Sequence, residues 1–177
     1  MKKYIFAVFV GVLSFICHSS YSFGIDMVKK LKPSGVCREC NLSGINLSGA
    51  DLKETDLTKA NLSRASLIGA YLQMANLQMA NLSRANLEKA YLNEAYLQGA
   101  NLKGTNLKGA HLKGAHLERA NLTGADMSGA NLSGADLDGA DFREANPQGA
   151  NVMRTEIKFA ILCYTKTPWG LDNSDCK

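Results

Sequence analysis

Between Cys40 and about Tyr164 one five-residue unit recurs without an insertion, most often as Ala-Asn-Leu-x-Gly, as in Ala100-Asn101-Leu102-Lys103-Gly104. A short fixed period dictates a stacked-repeat fold and takes precedence over local helix or strand preferences. The central positions run from Leu42 to Leu162 in steps of five; 20 of these 25 are Leu, and the rest are Met127, Phe142, Pro147, Val152 and Ile157. Two residues before each centre a second column, from Cys40 and Ile45 to Ala160, holds Ala in 20 of 25 places. Neither column carries a charge, as expected of positions that face inward.

An amphipathic helix needs apolar residues at alternating spacings of three and four, and a straight strand needs strict alternation, so a period of five fits neither. It fits a short extended piece followed by a corner. In an extended segment residues two apart share a side, so the Ala and Leu point inward and the residue between them points out. That outer residue is Asn or Asp in 17 of 25 repeats, types whose short side chains hydrogen-bond nearby backbone at corners. The second residue after Leu is Gly in 12 repeats, where it tolerates backbone angles that cost other residues energy. Four corners close a rectangular coil of about 20 residues, and coils stacked at the ~4.8 Å strand spacing satisfy the backbone. The expected architecture is all-β, with about six coils in a rod on the order of 30 Å long. Burial of each Leu contributes roughly 1.5–3 kcal/mol gross against the entropy of ordering the chain.

The register Ala-(Asn/Asp)-Leu-x-Gly resembles that of the pentapeptide-repeat family, over about two-thirds of the chain. The resemblance implies a right-handed quadrilateral β-helix with the central Leu and the preceding Ala inside. It also implies a spread of functions: some members bind gyrase by imitating DNA and give quinolone resistance, some dimerise end to end, and many have no assigned activity.

The repeats, taken as residues 40–164, are preceded by two segments. Residues 1–22 have the build of a secretory signal peptide: Met1-Lys2-Lys3, an apolar run from Tyr4 to Cys17 that is short for a membrane span, and the small residues Ser20 and Ser22 before cleavage after Ser22. An uncleaved anchor is the alternative, and Ile16 is bulky where lipidation at Cys17 would want a small residue. Export to a bacterial periplasm or beyond follows, with no stable membrane span once the signal is removed. Residues 23–39 are expected to form an N-terminal cap, in which Ile25, Val28 and Leu31 share one face of a short helix that Pro33 ends. Such caps cover the open end of a solenoid.

Four cysteines remain after signal removal: Cys37, Cys40, Cys163 and Cys176. An even number in an exported chain favours disulfides. A rod separates the first two from the last two, which predicts Cys37–Cys40 and Cys163–Cys176, the second tethering the tail, residues 165–177, over the last coil. The Cys-Arg-Glu-Cys entry and this tail resemble the ends of exported members of the family. A redox pair or half a zinc site are the alternatives for Cys37 and Cys40, although no βαβ context, second CxxC or His at ligand spacing accompanies them.

Residues 20 apart share a face. One face stacks Asn41, Asn61, Asn81, Asn101, Asn121 and Asp141 as a polar ladder. Beside it run Arg64, Arg84 and Lys103, with Lys89 and Lys108 on the next face, while Glu88, Asp126, Asp141 and Glu144 leave these two faces only weakly basic. The other two faces carry Tyr71, Tyr91 and His111 in one column and Tyr96 and His116 in its neighbour, with Met74 and Met79 close by. These seven residues are the expected contact patch for a protein or glycan partner, with ring stacking between coils as the equal alternative. His111 and His116 alone make a poor metal site, and there is no convergent Ser-His-Asp set, phosphate loop or inward carboxylate pair. No enzyme activity, cofactor or metal is therefore expected.

Residues 41–162 hold 12 Lys plus Arg and 12 Asp plus Glu, so the rod lacks the acidic surface that DNA imitation wants, and no nucleic-acid partner is expected. The resulting reading is an exported, non-catalytic rod acting as a structural or protein-interaction module. The alternatives, a DNA-mimicking topoisomerase-binding protein and a CxxC thiol-disulfide oxidoreductase, fit these residues less well. Pro147 cannot donate a backbone hydrogen bond from its central place, which predicts a local irregularity in the sixth coil.

Overall fold

The computed structural model of the chain describes residues 35–156, 159–167 and 170–172. The expected signal peptide, its cleavage point, the short helix over residues 25–31 and Cys176 lie outside them. Parallel backbone pairing joins residues 20 apart in unbroken register, from Val36 with Asp56 to Asp141 with Ile161. The chain is thus a solenoid with four pentads per turn. The ladder begins at Val36, with Cys37 in a central place and Cys40 in the small-residue place, both buried.

Every central residue from Leu47 to Phe142 is at most 4% exposed, and the Ala column between Ala60 and Ala145 is equally closed. The two columns form one continuous core from Cys37 to Ala145, with Val152, Ala160 and Leu162 packed partly buried at its C-terminal end. Where Thr replaces Ala, its hydroxyl is satisfied inside. Thr105 Oγ1 donates to the Leu82 carbonyl at 2.8 Å, and Thr165 Oγ1 to that of Phe142 at 2.6 Å.

A single pentad shows why the sequence repeats. In Asn61-Leu62-Ser63-Arg64-Ala65 the N–H of Asn61 reaches back to the Cys40 carbonyl at 2.8 Å, while those of Leu62 and Arg64 reach forward to Asn81 and Ser83 at 2.7 and 3.0 Å. The Ala65 N–H closes the corner on the Leu62 carbonyl at 3.1 Å. One donor is left, the N–H of Ser63, and Asn61 Oδ1 accepts it at 3.2 Å. This amide is only part-buried, and a short side-chain acceptor before Leu gives it a fixed partner inside the coil in place of solvent. All 17 Asn and Asp residues there make this bond to the backbone two residues on.

The corner residue two places after each centre is left-handed throughout. Its φ is +60 to +70° in the 12 glycines and +55 to +61° in 14 other residues, among them Arg64, Met74, Met79 and Arg84. Holding a side chain in that region costs roughly 1 kcal/mol relative to Gly.

Pro147 does not disturb the coil. Asn146 N–H still reaches Ala125 at 2.9 Å, and Ala150 N–H closes its corner on Pro147 at 2.9 Å. The expected irregularity is absent for a geometric reason. A central N–H donates to the residue 19 places on, as Leu97 does to His116, and for Pro147 that place is Lys166, which has already left the coil. Strand β1 (Thr165–Thr167) instead pairs antiparallel with β2 (Gly170–Asp172), Lys166 opposite Leu171. Among the described residues no helix is long and apolar enough to cross a membrane.

Candidate contact surface

The seven expected contact residues fall on two adjacent faces in neighbouring coils. In one column Tyr71 and Tyr91 lie with ring centres 5.0 Å apart and planes 6° from parallel, and Tyr91 and His111 follow at 4.8 Å and 4°. In the next, Tyr96 and His116 stack at 5.2 Å and 2°. Lys53 Nζ sits 5.0 Å from the Tyr71 ring centre and closes that end of the first stack. Ring stacking between coils is therefore present, and it turns ring faces against one another while edges and polar atoms meet solvent.

Stacking does not replace what the repeat loses at these places. With no Asn or Asp before the central Leu, the N–H groups of Gln73, Asn93, Gln98, Lys113 and Glu118 have no acceptor among the described residues. Seven pentads among the described residues lack the backbone bond that all 17 Asn or Asp pentads keep: these five, and those of Val36 and Ser66, whose Arg38 and Ile68 N–H groups have no acceptor either. The corner residues of the same region depart from Gly as well. Met74 and Met79 are 47% and 63% exposed, and the Met79 stem lies along the rod over Gly99, where an added Cβ would meet it at 3.7 Å.

The two histidines do not converge on a metal. His111 is engaged in the first stack and His116 Nδ1 lies 3.8 Å from Glu118 Oε1. No group of three or more His, Cys, Asp or Glu is placed to hold an ion among the described residues. Beside this surface runs a directed amide chain that sequence reading did not find. Gln78 Nε2 donates to Gln98 Oε1 at 3.2 Å, and Gln98 Nε2 donates to Glu118 Oε1 at 3.4 Å. The signal was available, since residues 78, 98 and 118 are 20 apart.

At the N-terminal end Cys37 and Cys40 are brought together, with Cα atoms 5.4 Å apart and their sulfurs at bonding distance. Cys163 is buried beside the last coil, and its expected partner Cys176 lies outside the described residues. The carboxyls of Asp126 and Asp141 are held below the usual range. For Asp126 burial pushes upward but is outweighed by hydrogen bonds from Ser128 and by Lys108. For Asp141 the Arg143 guanidinium dominates, gripping the carboxylate at 2.6 to 3.1 Å.

The sequence profile described as Pentapeptide repeats matches in 8 copies, across residues 36–73, 75–114, 100–139 and 120–157. The chain belongs to the pentapeptide-repeat family. Among solved structures, this pentapeptide-repeat protein is similar to HetL, a pentapeptide repeat protein involved in heterocyst differentiation regulation from the cyanobacterium Nostoc sp. strain PCC 7120. That match has 29% identity over 78% of this chain and 90% of the other, with a TM-score of 0.35. Rfr23 from the cyanobacterium Cyanothece 51142 matches at 32% identity over 71% and 85%, with a TM-score of 0.43. A trypsin-treated form of QnrB1, a plasmid-mediated fluoroquinolone resistance protein, matches at 20% identity over 72% of each chain, with a TM-score of 0.49. Among curated proteins none matches.

Proposed function

We propose that this pentapeptide-repeat protein is an exported, non-catalytic rod whose aromatic and methionine face binds a protein partner. The observation that carries the reading is the cost of that face. Five neighbouring pentads forgo a backbone hydrogen bond in order to place Tyr or His, and two corners hold Met in a left-handed conformation that Gly adopts freely. A rod that needed only stability would keep Asn and Gly at these places. Protein is favoured over a stacked sugar because the ring faces are already covered, whereas exposed Met side chains adapt to a partner's surface. The signal-like start supports export and, with it, oxidised Cys37–Cys40 and Cys163–Cys176 pairs. The family resemblance supports right-handed winding in about six coils, with the helix over residues 25–31 as the N-terminal cap.

The test is Met74→Gly with Met79→Gly, which removes the exposed thioethers and restores the residue that suits each corner. The double variant should melt at or slightly above the native temperature, while a partner cross-linked to the native rod in the exported fraction should be lost. A partner retained at full yield would refute the assignment of this face. N-terminal sequencing of the exported protein should begin at Phe23, and a chain still starting at Met1 in that fraction would remove the cleaved-signal part of the reading.

A further inference from the structure

The face two pentads away from Tyr71 carries a second feature that the contact reading does not use. A trough of about 690 Å³ runs along it across four coils, lined by Asn61, Asn81 and Asn101, by Ser63 and Ser83, and by Arg64, Arg84 and Lys103. No carboxylate, aromatic ring or apolar side chain contributes to the lining. The three cations make no ion pair or hydrogen bond through their side chains among the described residues. Some cations elsewhere are neutralised, Arg143 by Asp141 and Lys108 by Asp126 at 3.3 Å, whereas Lys89, Lys113 and Arg119 stand singly without an ion pair; only here, among the described residues, do three unpaired cations line one trough.

The hydrogen bonds of the asparagine ladder decide what this trough can receive. Asn61 Oδ1 accepts from Ser63 N–H at 3.2 Å and from Asn81 Nδ2 at 3.4 Å. Asn81 Oδ1 accepts from Ser83 N–H at 3.1 Å and from Asn101 Nδ2 at 3.3 Å. A carbonyl oxygen has two lone pairs, so both acceptors are filled, while each Nδ2 keeps one N–H outside the ladder. The backbone N–H bonds also fix which way each amide points. What remains outward is a row of donors: amide N–H groups, two guanidinium groups one coil apart, an ammonium in the next coil, and hydroxyls that serve either way. The Arg84 stem lies over Gly104, where an added Cβ would meet it at 3.7 Å, which carries its guanidinium toward the coil of Lys103.

We propose that this trough binds a ligand bearing two or more closely spaced phosphate or sulfate groups. Such groups only accept hydrogen bonds, and Arg matches their geometry with paired N–H groups. Arg64 and Arg84 are rooted one coil apart, at the ~4.8 Å spacing of adjacent strands, so one anion can be reached by both. A peptide would bring N–H donors to a surface where the Asn61 and Asn81 oxygens are already filled. A single-stranded nucleic acid would find no ring on which to stack its bases, and a membrane would find nothing apolar to bury.

The variant that tests this leaves the fold alone. Arg64→Gly with Arg84→Gly removes both guanidiniums and returns the corner's commonest residue at φ +59 and +57°. Calorimetric titration of the mature protein at low salt uses two probes, inorganic tripolyphosphate and a heparin-derived tetrasaccharide. At least one should bind, and the double variant should bind it about a hundredfold more weakly, roughly tenfold for each arginine. Tripolyphosphate alone would identify a free polyphosphate ligand, and the tetrasaccharide alone a sulfated sugar chain. Lys89→Gly with Arg119→Gly removes the same charge from corners on other faces and should leave binding unchanged. If the native protein binds neither probe, or if the control pair weakens binding as much as the trough pair, the proposal fails. Should the glycine pair not fold, Arg64→Gln with Arg84→Gln keeps both stems and reads out the same loss.

Discussion

Leu92→Asp should abolish cooperative thermal unfolding. Leu92 is fully buried, in the same column as Leu72 and Leu112 within a core whose described buried residues are almost all apolar. A carboxylate there would be an unpaired buried charge, which with the lost Leu costs on the order of 5 kcal/mol or more. That approaches the whole stability of a domain this size, about 5–15 kcal/mol. The damage would also spread, because a repeat rod is stabilised by contacts between neighbouring coils and a break in the middle leaves two shorter rods with new ends. Circular dichroism on heating should show a broad or missing transition. Lys113→Asp, on the exposed outside of the same face, should barely move the midpoint. A soluble Leu92→Asp variant that melts sharply near the native temperature would refute the inward placement of the central column.

Proline in the same column should be ruinous or harmless according to position along the rod. In Leu97→Pro the donor to His116 O, now 2.7 Å away, disappears, and a well-packed side chain is replaced by a smaller one. The lost bond and the cavity together should cost about 4 kcal/mol. Pro147→Leu should change stability by less than about 1 kcal/mol, because no coil lies beyond it to receive the restored N–H. Melting both variants beside the native protein tests the direction of the ladder. Equal destabilisation by the two exchanges would show that the central N–H groups do not all point toward the C-terminal end.

The repeat was legible because each column answers a single demand. Leu and Ala fill the core, Gly turns the corner, and Asn or Asp sits outside. Sequence pattern showed that Asn or Asp would bond nearby backbone at the corner, but not which donor it takes. Only the accounting of Ser63 N–H and its equivalents shows that this side chain takes the one donor the coils leave over. The ladder's start at Val36 was hidden because Cys37 stands where Leu is usual. The pairing of β1 with β2 was hidden because strands of three residues are too short for alternation to register. The aromatic columns were visible by their spacing of 20, yet whether the rings face solvent or one another is set by the coil spacing. Over whole faces the carboxylates nearly balance the basic side. In the folded chain Asp126 and Asp141 are occupied by Lys108 and Arg143, and the trough lies beside neither.

Pairing at a separation of 20, built from units of five, gives the rod two scales of inheritance. Duplicating or deleting one pentad would keep every Leu and Ala inside, because the core cannot tell one side of the coil from another. It would nevertheless turn everything downstream by one side, carrying a tyrosine column onto the asparagine ladder and splitting the basic trough. Only a change of four pentads leaves the surface in phase. Length can therefore drift in small steps at little cost to folding, while any patch that spans several coils is preserved only by lineages that add or lose whole turns.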